Sequence, residues 1–120
     1  MAYDLDICFK SEKERKLFNS QELLSRKYGH ETAKKIRQRL DDLHAADTLE
    51  DMRKLPGRCH ELTGNERGKF AVDLPHPRRL LFTPNHNPIP EKPDGGIDWS
   101  RITVITILGV VDYHGRKKPI

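Results

Sequence analysis

The sequence predicts an α+β fold: an N-terminal helical hairpin packed on a small twisted antiparallel sheet. Three observations lead there. Apolar residues recur at helical spacing through the first half of the chain, the period changes to two from Arg58 onward, and Pro and Gly gather in the second half at strand-length intervals. With 120 residues, 33% of them charged, the chain has the size of one compact domain, spanning residues 1–120, with a modest core.

Leu5, Ile7 and Phe9 alternate with polar neighbours, as a short first strand would. Ser11 followed three residues later by Glu14 is a capping box, in which hydroxyl and carboxylate satisfy amides that the first helical turn leaves unpaired. Leu17, Leu24 and Tyr28 continue at helical spacing, with Asn19-Ser20 as a point of breakage and Gly29 as the stop. A second helix from His30 to Ala46 carries Ala33, Ile36, Leu40 and Leu43 on one stripe. Lys34, Lys35, Arg37, Gln38 and Asp41 face away from it. Thr48 with Asp51 repeats the capping pattern for one short turn, which Pro56-Gly57 ends.

The second half reads as strands joined by turns. His60 and Leu62 lie on a strand ending at Thr63-Gly64-Asn65, and the chain returns through Lys69 to Asp73. Pro75-His76-Pro77 turns it again into Arg79 to Thr83. Pro84 to Asp98, a connector at 84–98 with four prolines and Gly95-Gly96, is too polar and too broken to join the core. Trp99 pins its return. Ile102 to Val111, the most apolar and β-branched run, is expected to be the central strand, with Asp112-Tyr113-His114 at its end.

The formal net charge is +4, and its distribution is lopsided. Between Arg53 and Arg79 stand Arg53, Lys54, Arg58, Arg67, Lys69, Arg78 and Arg79 against Glu61, Glu66 and Asp73, which accounts for the whole excess. Arg116, Lys117 and Lys118 follow His114. Such gathering suits a polyanionic partner. No apolar run approaches the ~20 residues of a membrane helix, and the amino terminus lacks the layout of a signal peptide, which predicts a cytoplasmic protein that leaves membranes alone. Cys8 and Cys59 stand at no metal-like spacing, and the histidines are scattered, so the sequence calls for no metal and no cofactor.

These residue types suit one chemistry. Cleaving RNA without a metal requires a base, an acid and a stabiliser of phosphorane charge as the 2′-hydroxyl attacks phosphorus. His60 and His114 can carry the protons, Arg79 can clamp the phosphate, Tyr113 can stack or donate, and Asp112 can orient a neighbour or help as base. Arg58, Lys69, Arg78, Arg116, Lys117 and Lys118 supply phosphate contacts. Arg79 also suits a cross-strand pair with Asp73 or Glu61, a common use of arginine in sheets. His76 and His86 lie beside prolines in turns, where exposure is expected. The basic helix surface at Lys34, Lys35, Arg37 and Arg39 suits an acidic protein segment or ribosomal RNA.

The run Pro56-Gly57-Arg58-Cys59-His60-Glu61-Leu62-Thr63-Gly64, followed by Gly68 to Asp73, by Arg79-Leu80-Leu81-Phe82 and by Asp112-Tyr113-His114, resembles the HigB branch of the RelE/ParE toxin superfamily. Some relatives of this longer form carry the label killer suppression protein. The resemblance spans nearly the whole chain and is weakest at residues 84–98. It implies a small α+β fold and a ribosome-dependent messenger RNA endonuclease. It also implies a cognate HigA-like helix-turn-helix antitoxin that neutralises the toxin and, with it, represses the operon by binding operator DNA. By the same resemblance, toxins of this kind use a histidine and a nearby lysine on the second strand, then the terminal Asp-Tyr-His. His60, Asp112, Tyr113 and His114 match. The lysine expected three residues after the histidine is Thr63 here, so either Lys69 takes over its charge or the activity is weakened. Two other classes fit the superfamily: a ParE-like gyrase inhibitor, and a non-catalytic member that binds the antitoxin or operator and regulates.

Overall fold

The first strand, β1 (Asp6–Phe9), leads into three helices rather than two. The computed structural model describes residues 5–112. Ser11 Oγ accepts the Glu14 N–H at 3.2 Å and starts α1 (Glu12–Phe18). Ser20 Oγ accepts the Leu23 N–H at 3.1 Å and starts α2 (Gln21–Tyr28), so the break at Asn19-Ser20 is a second N-cap. Gly29, at φ +91°, ends α2 and opens α3 (His30–Ala45). That conformation favours glycine, which is why the two helices part at this residue. Thr48 makes no side-chain cap; the Asp51 carboxylate instead accepts the Asp47 N–H at 2.9 Å ahead of a 3-10 turn at Leu49–Lys54.

The remaining strands are β2 (His60–Glu61), β3 (Phe70–Asp73), β4 (Arg78–Pro84) and β5 (Val104–Asp112), in the order β1-β5-β4-β3-β2. From β2 to β5 each pairing is antiparallel, but β1 runs parallel to β5, Asp6 opposite Val104. The sheet is therefore mixed, not antiparallel. Alternation reveals that a segment is a strand and which residues share a face, but not which way its neighbour runs. The middle place belongs to β4. The apolar β5 is interior, flanked by β1 and β4.

Between Leu81 and Phe82 the β4–β5 register slips: Leu81 faces Gly109 while Phe82 faces Ile107. The extra residue, Leu108, is a β-bulge that lets Ile107 and Val110, three apart in sequence, lie on one face. That face receives the helices. Leu24, Ile36, Leu40 and Leu43 pack there against Phe70, Val72, Leu80, Phe82, Ile105 and Ile107, all fully or nearly fully buried. Phe70 and Phe82 stack at 5.5 Å between centroids, and Trp99 meets Phe70 edge-on at 5.0 Å.

The connector joins the core after all. Ile89 and Ile97 pack against it, Glu91 bridges to Ile97, and His86 Nε2 accepts from the N–H groups of Thr103 and Val104 at 3.1 and 3.3 Å. Its polar residues satisfy one another and the backbone, which composition alone does not reveal. Trp99, as expected, holds the return: its indole N–H donates to Glu61 at 2.7 Å and Arg53 lies 3.8 Å over its ring.

Two measurements check this packing. Phe82→Ala should lower unfolding stability by about 3–5 kcal/mol in urea titration, the usual cost of deleting a buried phenyl ring. Burial pushes the Cys59 thiol up to about 12, with Arg53 opposing weakly, whereas Cys8 is exposed. A raised value keeps Cys59 neutral, so raising the pH through the ordinary thiol range near 8.5 should leave it unreacted toward iodoacetamide while Cys8 is modified, until denaturant exposes both.

Candidate functional site

Cross-strand partners share a face and neighbours along a strand alternate, so the pairing sorts the candidate residues. His60 faces Ala71, which faces Leu81; Asp73 faces Arg79, which faces Val111. These belong to the face away from the helices. Arg78 and Asp112 face each other on the helix side.

Arg78 and Arg79, adjacent in sequence, therefore have different duties. Arg78 Nη1 donates to the Tyr28 carbonyl at 2.9 Å and approaches Thr32 Oγ1 at 3.5 Å, while its guanidinium lies 5.4 Å from the Tyr28 ring centroid. Burial raises the Tyr28 phenol above its ordinary range, Glu14 adds to this, and Arg78 opposes it. With Thr32, Pro75, His76, Pro77 and Asp112, Arg78 lines an open cleft of about 570 Å³ at the end of β5. Its first role is to join the sheet to the helices.

The open face carries a tighter arrangement centred on Asp73. Arg58 reaches its carboxylate through Nε at 2.9 Å and Nη2 at 3.3 Å, and Arg79 Nε approaches it at 3.4 Å. Asp73 and Arg79 are symmetric about the His76 turn, which is how a tight hairpin opposes them. Arg58 stands at φ +52°, unlike any other non-glycine residue described, a conformation that costs about 1 kcal/mol or more and must be held by its surroundings. Beside it, His60 Nδ1 lies 2.6 Å from the Arg58 carbonyl oxygen. A carbonyl only accepts, so Nδ1 carries the proton, and in the neutral ring Nε2 holds the lone pair.

Asp73 is fixed by its backbone. Its N–H donates to the Gly57 carbonyl at 2.7 Å, and its carbonyl accepts from Arg39 Nε at 3.0 Å. Gly57, at φ +108°, lies so close to Arg39 that a Cβ there would meet Nε at 2.7 Å. Arg39 is buried to 7% exposure, so it is not part of a basic docking surface. Arg37 likewise turns inward, donating to the Phe18 carbonyl at 3.3 Å and pairing with Asp41 at 3.4 Å. The helical pattern places Arg37 outward, and Arg39 is expected on the same basic surface, but both long side chains bend back to backbone acceptors.

Lys69 pairs with Glu66 at 2.8 Å, and Thr63 is exposed at the neighbouring turn. Tyr113, His114, Arg116, Lys117 and Lys118 lie outside the described residues. His60, Arg58 and Arg79 are thus brought to one face, and Arg78 and Asp112 to the other. The sequence offers Asp73 as a cross-strand partner of Arg79, and the 3.4 Å pair bears this out, but it does not single out Asp73 as the shared partner of Arg58 and Arg79, nor Gly57 as the residue beside Arg39.

No family model matches the chain, and no curated protein matches it. Among solved structures, a YoeB dimer from Staphylococcus aureus superposes with a TM-score of 0.51 over 94% of this chain and 100% of that one, at 19% identity. The fold is similar to that of YoeB. At this identity the likeness concerns architecture: an α+β chain whose helices cover one face of a five-stranded mixed sheet.

A paired substitution tests the support of the site. Gly57→Ala adds both backbone strain and a clash with Arg39, whereas Gly95→Ala, at φ +95° with open space around it, adds strain alone. The first should cost more stability in urea titration, by about 1–3 kcal/mol, because the clash involves a buried guanidinium.

Proposed function

We propose that the chain is the toxin of a type II toxin–antitoxin system of the HigB-like kind, a metal-independent endoribonuclease that cleaves messenger RNA on the ribosome. Two lines support this reading: the ordered motifs that resemble RelE/ParE toxins, and a fold similar to YoeB, a toxin of that type. The observation that carries the chemistry is His60 with Nδ1 committed to the Arg58 carbonyl, on the same face as two guanidinia gathered at Asp73.

In this mechanism His60 Nε2 takes the proton of the 2′-hydroxyl as its oxygen bonds to phosphorus. The bond from phosphorus to the 5′-oxygen breaks, leaving a 2′,3′-cyclic phosphate and a 5′-hydroxyl. Arg79 and Arg58 stabilise the charge that builds on the non-bridging oxygens. His60 and Arg79 are two strands apart, about 10 Å across the sheet, which lets one side chain work at the sugar and the other at the phosphate. Asp73 holds both guanidinia until substrate arrives. Arg58 is exposed while Asp73 and Arg79 are half-buried, and ion pairs open to water are worth only about 0–1 kcal/mol, so a phosphate diester that reaches Arg58 can displace the carboxylate. From the resemblance, His114 supplies the proton to the leaving oxygen, Tyr113 stacks on a base, and Arg116, Lys117 and Lys118 hold the flanking backbone; Asp112, opposite Arg78 on the helix side, has no role with His60 and Arg79. Lys69 stands in for the lysine that Thr63 replaces.

The partners in this reading are the ribosome and its message, a HigA-like helix-turn-helix antitoxin, and operator DNA through the antitoxin complex, all in the cytoplasm. Thr63 and the Lys69–Glu66 pair favour a second reading, a non-catalytic member that binds antitoxin and operator.

Expression in a host lacking the antitoxin, with transcript ends mapped during translation, separates these readings. The nuclease gives cuts clustered inside reading frames, and His60→Ala or Arg79→Ala should reduce cutting by about 10²-fold or more. Intact transcripts with blocked replication would instead indicate a gyrase inhibitor, and harmless overexpression the regulator.

A further inference from the structure

The first two helices present matching trios toward one cleft. In α1, Lys13, Lys16 and Leu17 stand at positions i, i+3 and i+4, and in α2, Leu23, Arg26 and Lys27 repeat that spacing. Residues so spaced share one helix face. Together the six line an open groove of about 480 Å³, and no acidic residue lines it.

The floor is apolar and the rim is cationic. Leu17 is buried at the base, while Leu23 remains 40% exposed, with Leu55 the other large hydrophobic so exposed among the described residues. Of the acids of these helices, Glu12 pairs with Arg15 and Glu14 reaches toward Lys10, away from the groove, while Glu22 pairs with the groove residue Arg26 at 2.7 Å and leaves Lys13, Lys16 and Lys27 as the cations of the rim. Lys13 and Lys16 make no ion pair among the described residues. A merely solvated helix surface alternates charge signs and does not sink a leucine into a concavity.

We propose that this groove docks an acidic amphipathic segment of another protein, whose apolar side chains pack on Leu17 and Leu23 while its carboxylates meet Lys13, Lys16 and Lys27. Single-stranded RNA fits less well, because bases stack on aromatic rings and the groove is lined by none. A membrane surface would meet a protruding apolar edge rather than a recess. The groove uses none of the residues assigned to RNA cleavage, so the proposal stands or falls apart from that reading.

The test is fluorescence anisotropy of the full chain with a labelled synthetic helix of about 18 residues, five turns, with leucines on one stripe and glutamates elsewhere. A shuffled peptide of the same composition and a version with lysine for glutamate serve as controls. The amphipathic acidic peptide should bind, with affinity falling as salt rises, and the shuffled one should bind about tenfold more weakly or worse. Leu23→Ser should weaken binding about tenfold, the scale of one buried leucine. Reversing the rim with Lys13→Glu, Lys16→Glu and Lys27→Glu should abolish binding of the acidic peptide and create binding of the lysine version, a gain that a misfolded protein cannot show. Absence of binding by the parent protein would overturn the proposal, as would binding that survives both changes. So would tighter binding, through the same residues, of a uridine oligonucleotide or of phosphatidylcholine vesicles containing phosphatidylglycerol.

Discussion

Asp73 joins three parts of this molecule at once. Its N–H reaches the segment before β2, its carbonyl takes the buried Arg39 of α3, and its carboxylate gathers Arg58 and Arg79. The Arg58 pair is open to water and contributes little, but a hydrogen bond from a buried guanidinium is worth about 1.5–3 kcal/mol and would leave a costly unmet charge if lost. The helix layer therefore fixes the backbone of Asp73, and Asp73 fixes the open face. Gly57 completes the arrangement, since a Cβ there would sit on a strained backbone at φ +108° and meet the Arg39 side chain at 2.7 Å.

The two faces of the sheet divide the chemistry. Adjacent arginines, 78 and 79, part to opposite sides, one tying the strands to Tyr28 and Thr32, the other standing with Asp73 and His60. A single bulge at Leu108 lets β5 keep its apolar residues on the helix side through an odd spacing, so the long strand stays paired with β4 across a one-residue register slip. The cost is that Asp112 ends on the helix side, opposite Arg78. The site on the open face thus rests on the middle strands and the β2 edge.

Charge is partitioned in the same way. α3 looks basic in sequence, yet Arg39 and Arg37 turn inward to backbone acceptors. Lys13 and Lys16 of α1 and Arg26 and Lys27 of α2 instead line one cleft with an apolar floor. A total of +4 conceals this division, because net charge carries no information on which guanidinia are already committed.

Local chemistry was legible in the sequence. Ser11 announces the first helix, Gly29 separates the next two, Ala33, Ile36, Leu40 and Leu43 form a buried stripe, and the Pro75-His76-Pro77 turn joins two strands, because each depends on neighbours a few residues away. The second helical break at Ser20 was half visible, as a weak point rather than a cap. The parallel pairing of β1 with β5, the central place of β4 and the docking of the connector through Ile89, Ile97 and His86 were decided only in three dimensions. At the candidate site the sequence by itself determined the ingredients: a histidine, two arginines and an acid within a short span. The tertiary structure decided that Arg58, His60, Asp73 and Arg79 share one face while Arg78 and Asp112 share the other. The reason is geometric, since side chains alternate along each strand and only the inter-strand register says which of them meet.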